Sequence, residues 1–277
     1  MIKAEIKNIK MFEEFLNIVN KFVPQCMIEI GLDNTTVYCK NSRDYPSARL
    51  LLDTNLIQLK EKQNVESVKV CIRDVVAFRT AIGIISQVDD KIETITINLD
   101  GDFDTETGDY IVRAMKYSGA SKFNLATVDF QIVEQYVSKN ITNELKSIWD
   151  FYINPRKLDI VQNRTSNIVN MEEVSIYLYS ENGKVIADLA SRQSPTTNSI
   201  SIPISDTYNG ELKDSGFEEV CVHDSAFRLF NILRVNGLDE LNCLFDSTYN
   251  VFYLTSQLEN MGYYVKSRLL VKIIQGK

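Results

Sequence analysis

Apolar and polar residues alternate along most of this chain, and in four places the alternation gives way to helical spacing. Residues 3–9, KAEIKNI, alternate and read as a strand. In 11–23, MFEEFLNIVNKFV, the residues Phe12, Phe15, Leu16, Val19 and Phe22 fall on one apolar stripe of a helix that Pro24 ends. Strands follow at 26–32, 35–41, 47–54 and 65–72. The last runs into Arg73-Asp74, where the aspartate suits a helix N-cap. A second helix at 75–87 sets Val75, Phe78, Ile82 and Ile85 on one face. Strands at 91–100 and 109–118 flank the acidic turn GDFDTETGD, and KFNLATVDF at 122–130 closes the first half.

The second half repeats this order. A strand at 146–154 leads to Asn154-Pro155 and a helix at 156–169, with proline in its first turn. Strands at 172–180, 184–191 and 199–205 follow, the first two joined by Asn182-Gly183, a strong hairpin signal. After a strand at 217–222, Asp224 caps a helix at 225–235 that Asn236-Gly237 stops. A hairpin at 241–248 and 251–258 turns around Tyr249-Asn250, and a strand at 263–274 ends the pattern. The first helices of the two halves lie about 145 residues apart and the second helices about 150, as a duplication gives. Each half reads β-α-β-β-β-β-α-β-β-β. Each helix has one apolar face and so requires a covering sheet. The division expected is a first domain at 1–128, an extended connector at 129–146 and a second domain at 147–277.

Composition narrows the function. The chain of 277 residues has a net charge of −7, which opposes simple electrostatic binding to nucleic acid unless basic residues are gathered on one face. The polar sides of the helices supply such a bias: Lys10, Asn17, Asn20 and Lys21 on the first, and Arg73, Arg79 and Thr80 on the second. The third adds Arg156, Lys157, Asn163 and Arg164, and the fourth Arg228, Asn231 and Arg234. Each of these is either a phosphate contact or an ordinary solvated helix residue. No apolar run approaches the roughly 20 residues of a membrane span. The N-terminus has no apolar signal core, so a cytoplasmic protein is expected. Five scattered cysteines without a C-x-x-C pair read as reduced, buried thiols.

A search for chemistry returns little. His223 stands beside Asp224, but no G-x-S-x-G motif accompanies them, and a strand-end or capping role fits better. One histidine and no C-x-x-C argue against zinc. The Asp100, Asp102, Asp104 run departs from a calcium-loop order after Asp104 and reads as a solvated turn. There is no phosphate-binding G-x-x-x-x-G-K-[ST] loop. Trp149, the only tryptophan, reads as packed in a strand. The expectation is a protein without catalysis, metal or cofactor.

Three stretches carry a family resemblance. FEEFLNIVNKFVPQCMIEIGLDNTTV resembles the opening helix, strand and turn of the sliding clamps of the proliferating cell nuclear antigen type, including their phage relatives. CVHDSAFRLFNILRVNGLDELNCLFDSTYNVFYLTSQ resembles their last helix and hairpin, and KFNLATVDF the strand leading into their interdomain connector. The resemblance covers the whole chain as topology more than identity. It implies an α+β class and a duplicated DNA-clamp fold, with antiparallel sheets outside and two helices per domain inside. It further implies a DNA polymerase processivity factor, a ring of three subunits around duplex DNA of any sequence, tethering polymerase and clamp loader.

Carried onto this sequence, the resemblance makes Lys10, Lys21, Arg73, Arg79, Arg156, Lys157, Arg164, Arg228 and Arg234 the DNA-binding set. Glu13 and Glu14 stand where the family often has lysines, so either the first helix is rotated or its share of the channel is weak. Subunits would pair through edge strands at 109–118 and 199–205, where Pro203 removes one amide donor. A partner peptide would dock near Tyr45, Val128, Phe130 and Leu270; for Val128 and Leu270 ordinary core packing is the alternative. The slight similarity suggests a phage or viral protein, acting in the host cytoplasm. Two rivals remain: a clamp-fold processivity subunit that works as a monomer or dimer, and a β-rich viral structural protein without a DNA role.

Overall fold

A computed structural model of the chain describes residues 2–41, 48–60, 65–88, 91–104, 106, 110–119, 121–127, 149–154, 156–157, 159–160, 175–190, 200–206, 220–223, 229–230, 232, 241–246 and 251–272. The expected connector at 129–146 lies outside these residues, as do most of the third and fourth helices.

The order of elements begins β1 (Ile2–Lys7), α1 (Ile9–Phe22), β2 (Cys26–Gly31), β3 (Thr35–Asn41), β4 (Ala48–Thr54), β5 (Ile57–Leu59) and β6 (Ser67–Ile72). It continues with α2 (Val75–Val88), β7 (Thr94–Phe103), β8 (Tyr110–Ser118) and β9 (Lys122–Ala126). The second half contributes β10 (Trp149–Ile153), β11 (Ser175–Glu181), β12 (Lys184–Ala190), β13 (Ile200–Ser205) and β14 (Val220–His223). It ends with β15 (Leu241–Asp246), β16 (Val251–Asn260) and β17 (Tyr263–Lys272).

The chain forms two compact units. The first comprises Met1–Asn41, Leu50–Lys139 and Gln257–Lys266, the second Ser42–Arg49, Asn140–Ser256 and Ser267–Lys277. The tip of the β16–β17 hairpin therefore belongs to the first unit. Asn55 fastens it there: its Nδ2 donates to the Gly262 carbonyl at 2.9 Å and its Oδ1 accepts from the Tyr264 amide at 3.0 Å. Thr54 Oγ1 adds a bond to the Tyr264 carbonyl at 2.7 Å.

In the first unit a five-stranded antiparallel sheet has the order β5-β1-β7-β8-β9, and β2 pairs with β3 on one side and β6 on the other. The expectation of a free edge at 109–118 is overturned. β8 lies between β7 and β9, because 122–126 folds back on it with Ala114 opposite Ala126 and Ser118 opposite Lys122. β9 is the edge instead. β5 adds a strand not anticipated in the sequence, pairing Ala4 with Leu59. A bulge falls between Asp100 and Gly101 in β7, and a Cβ at Gly101 would run into the Ile111 carbonyl. Only glycine fits there.

The helices pack by the stripes read from the sequence. Phe12, Phe15, Leu16, Val19 and Phe22 of α1 and Val75, Phe78, Ile82 and Ile85 of α2 are all buried. Phe12 meets Phe78 edge to face at 5.9 Å and stacks on Phe15 at 5.7 Å, geometries that add to simple burial. α1 starts at Ile9, earlier than the periodicity implied. Asn8 turns into the left-handed region (φ 50°), and its side chain accepts from the Met11 amide at 3.2 Å. Asparagine tolerates that conformation while capping. Asp74 caps α2 as expected, with Oδ1 accepting from the Ala77 amide at 2.9 Å.

In the second unit a four-stranded antiparallel sheet has the order β13-β12-β11-β14. β10 pairs with β15, and β15 with β16. The Asn182-Gly183 turn has both residues at positive φ (51° and 75°), as a two-residue hairpin demands. β13 is an edge, as expected, and its Pro203 lies opposite Ile186. Phe230, Phe245 and Phe252 form a ring cluster, with Phe252 5.3 Å from Phe230 and 4.8 Å from Phe245. Phe230, within the fourth helical pattern, is fully buried.

Candidate nucleic-acid interface

The surface of α1 is set by what its stripe leaves over. With Phe12, Phe15, Leu16 and Val19 turned inward, Lys10, Glu14 and Lys21 are exposed and Asn17 is half-buried between them. These positions recur every three or four residues and so share one outward face. Glu13 is different. It leans toward α2, where its Oε1 is 3.9 Å from the Arg79 Nε. The room for its carboxyl comes from Gly83: a Cβ there would sit 3.0 Å from Glu13 Oε1. Arg79 Nε is itself buried and makes no hydrogen bond.

α2 turns a different surface outward. Arg73 is exposed just ahead of the Asp74 cap, and Thr80 is exposed about two turns later. Apart from Gln87, the rest of the exposed surface of α2 is apolar, with Val76 50%, Ile84 48% and Val88 58% exposed. The basic reading of α2 therefore rests on Arg73 and on an arginine that Glu13 already neutralises.

In the second unit Arg156 is exposed, and its amide donates to Asn154 Oδ1 at 3.0 Å. Lys157 is half-buried and donates from Nζ to Asp206 Oδ2 at 2.9 Å. That hydrogen bond and the lysine charge hold the Asp206 carboxyl below its usual range. Arg164, Arg228 and Arg234 lie outside the described residues.

Of the four residues expected around a partner peptide, Tyr45, Val128 and Phe130 are outside the described residues. Leu270 is half-buried on β17, on the opposite face from its buried neighbours Leu269 and Val271. It is not part of the layer those two fill.

The acidic run at the β7–β8 turn is tied to basic partners across the hairpin. Asp100 pairs with Lys116 at 2.5 Å and Asp102 with Arg113 at 3.2 Å. The lysine keeps the Asp100 carboxyl below its ordinary range. A cleft of about 410 Å³ between the β2–β3 turn and β6 is lined by Glu29, Asp33 and Glu66 with Asn34, Thr36 and Ser67. Its carboxylates suit neither phosphate nor nucleic acid. Among the described residues no three histidine, cysteine or acidic side chains converge as a metal site. Cys26, Cys39, Cys71 and Cys243 are buried free thiols. Burial pushes the Cys71 thiol up to about 12. Cys26 is raised by its hydrogen bond with Cys39 and by burial, and Cys243 by burial.

Solved structures similar to this one include sliding clamps. The chain matches a PCNA (proliferating cell nuclear antigen) of A. fulgidus, solved bound to the C-terminal region of FEN-1, at a TM-score of 0.66 over 100% of both chains. The fold is that of a sliding clamp. The identity to that clamp is 12%. A PCNA2–PCNA3 complex from Sulfolobus tokodaii matches at a TM-score of 0.59 and 11% identity, over 97% of this chain and 98% of that one. The DNA polymerase III subunit beta from Pseudomonas aeruginosa matches at 0.64 and 11% identity, over 99% of this chain and 67% of that one. No protein-family model matches the sequence, and no curated protein matches it. The clamp fold is typically non-enzymatic. Among the described residues no helix is long and apolar enough to cross a membrane.

Residues missed in the sequence are Glu13 as an ion-pair partner, Gly83 as its seat, and Asp206. A signal existed for the first. Glu13 follows Phe12 directly, at the margin of the apolar stripe, and a carboxylate there calls for a cation from the neighbouring helix.

Proposed function

We propose that this protein is a DNA polymerase processivity factor, a sliding clamp that closes as a homotrimeric ring around duplex DNA of any sequence and tethers polymerase, clamp loader and other replication proteins. The observation that carries this reading is the match of the whole chain to clamps, from end to end of both chains in one case. The exposed Lys10, Lys21, Arg73 and Arg156 support a phosphate-facing role for the helices, since weak contacts to phosphate and none to bases let a protein slide. Arg164, Arg228 and Arg234 complete the set in this reading.

Self-association through the edges β9 and β13 is supported by their having a single pairing partner each among the described residues and by a clamp-to-clamp complex among the similar structures. A partner peptide in the region of Tyr45, Val128, Phe130 and Leu270 is supported by the half-exposed Leu270 and by the FEN-1 segment bound to a similar clamp. The two clamp domains at 1–128 and 147–277 and their connector at 129–146 belong to the same reading. So do the absence of catalysis and of a cofactor, and a site of action in the cytoplasm. A phage or viral lineage also belongs to this reading.

Solution mass and polymerase stimulation test this. The proposal expects an assembly of three times the 31.7 kDa chain mass, and a cognate polymerase that makes longer products in its presence. A monomer at micromolar concentration that still stimulates polymerase would replace the ring with the monomeric rival. A protein that neither assembles nor stimulates polymerase would favour the structural rival.

A further inference from the structure

Among the described helix cations, Lys10, Lys21, Arg73 and Arg156 are exposed and make no ion pair with a described residue. Two others are held. Arg79 Nε lies 3.9 Å from Glu13 Oε1, and Lys157 Nζ lies 2.9 Å from Asp206 Oδ2. The two pairs occur in separate compact units and are built from different elements. Both have the same electrostatic outcome: a cation on a helix face is cancelled by a carboxylate of the same unit. Neither is a buried pair, with side-chain exposures of 37% and 32% for Arg79 and Glu13, and 26% and 62% for Lys157 and Asp206. Such pairs contribute little to stability. Their effect is on the surface field, because a neutral pair releases no counterion from a phosphate.

The first pair is built rather than incidental. The two helices pack through Phe12 and Phe78, which fixes their separation. Gly83 stands one turn after Arg79 on α2, is buried, and leaves the space that the Glu13 carboxyl fills. Alanine there would press on Glu13 Oε1 at 3.0 Å and Cδ at 3.2 Å, so the carboxyl would have to give by a few tenths of an ångström. Arg79 Nε has no hydrogen-bond partner, so the neighbouring carboxylate holds it by charge rather than by a directed bond. Removing the charge of Glu13 leaves nothing described to keep Arg79 in place.

We propose that Glu13 and Asp206 are attenuators, positioning residues that keep Arg79 and Lys157 in intramolecular ion pairs so that the helices grip duplex phosphate more weakly than their basic count implies; this rests on the reading of the helices as the duplex-facing surface. The ligand chemistry is the phosphate backbone of a duplex, without base recognition. A clamp gains from such restraint, because every additional phosphate contact slows sliding. The same device explains how one carboxylate, Glu13, is tolerated beside a surface meant for phosphate: it is directed at α2 and its charge is spent there, whereas Glu14 stays exposed.

The test uses the full-length protein and a linear duplex of random sequence, with binding followed by fluorescence anisotropy over a range of salt. Wild type, E13Q, R79Q and E13Q/R79Q are compared, with K21Q and K10Q/K21Q as controls for the duplex-facing surface. E13Q is expected to bind about five- to tenfold tighter near 0.1 M salt and to steepen the salt slope by about 0.9, the value of one added phosphate contact. R79Q is expected to weaken binding less than K21Q, and E13Q to give no tightening in the R79Q background. D206N is expected to act as E13Q does, through Lys157, and to lose its effect in a K157Q background. G83A, checked for folding by its thermal transition, is expected to shift binding in the direction of E13Q.

Equal tightening by E13Q with and without Arg79 would overturn the proposal, since it would report only a lost negative charge. So would an R79Q defect as large as that of K21Q. If wild type binds duplex, K10Q/K21Q weakens it and E13Q changes nothing, the attenuator fails and the duplex-facing reading stands. If wild type shows no duplex binding and neither E13Q nor K10Q/K21Q alters this, the duplex-facing reading fails and takes the attenuator with it.

Discussion

α1 and α2 bury the same kind of stripe and turn different surfaces outward. Inside, Phe12, Phe15, Leu16 and Val19 of α1 face a counterpart of Val75, Phe78, Ile82 and Ile85 on α2. Outside, α1 shows Lys10, Glu14 and Lys21, whereas α2 shows Val76, Thr80, Ile84 and Val88 behind Arg73. Packing determines the inner positions, and nothing in the core requires the outer ones to be basic or apolar. The difference therefore carries information about what the outer faces meet. Under the proposed function, most of the first unit's phosphate contact would fall to α1 and to Arg73 at the start of α2.

The largest effect should come from the shared inner layer. Phe12→Ala removes a fully buried ring that touches both Phe15 and Phe78, and should cost about 3–5 kcal/mol in a denaturant titration. Phe78→Ala should cost about the same, also about 3–5 kcal/mol. A loss confined to one of the two would show that the helices do not form one layer.

Alkali probes the strand interiors, where no such difference between surfaces enters. The unfolded chain ionises its thiols near the ordinary value of 9.0, while the folded chain holds the Cys71 proton to about 12. Cys26 and Cys243, also raised, act in the same direction. Their contribution is fully present below pH 9 and is lost as pH rises toward 12. Urea midpoints should fall between pH 8 and pH 11. A flat profile would mean that these thiols are not sealed.

The outer faces should separate next. K10E/K21E on α1 should weaken duplex binding tenfold or more while leaving stability within about 0.5 kcal/mol, as surface changes usually do. Two acidic residues added on α2 as V76E/I84E should weaken binding less, since they add repulsion without removing a contact. Equal losses would erase the division of labour between the helices. The smallest effect is expected from I84S alone, which should move stability by no more than about 0.5 kcal/mol and binding less than twofold. A large loss of stability there would mean that the exposed apolar residues of α2 are covered by something.

How much of this could be read from the sequence depends on the range of the interactions involved. The stripes of α1 and α2 were legible because helical periodicity is local and five and four apolar residues mark it. The Asn182-Gly183 turn was legible because its chemistry is confined to two residues. β5 was not, since three residues cannot establish an alternation. The edge strand was misassigned for a different reason. Whether β8 is free depends on where 122–126 folds back, and alternation within β8 is the same either way. The interface followed the same rule. Lys10, Lys21, Arg73 and Arg156 were found as cations and are exposed, but the pairing of Arg79 with Glu13 and of Lys157 with Asp206 joins residues far apart in the chain. Gly83 gave no sign of its part, because a glycine inside a helix marks a close approach without saying what approaches.

The central claim is topological, that this clamp fold closes around DNA. The most direct measurement is retention on a closed circular duplex against the same duplex linearised, after loading, at a salt concentration that suppresses free exchange. A closed ring should reside long on the circle and leave rapidly from the linear ends, with retention on the circle lost when it is cut. Equal dissociation from circle and line would contradict it.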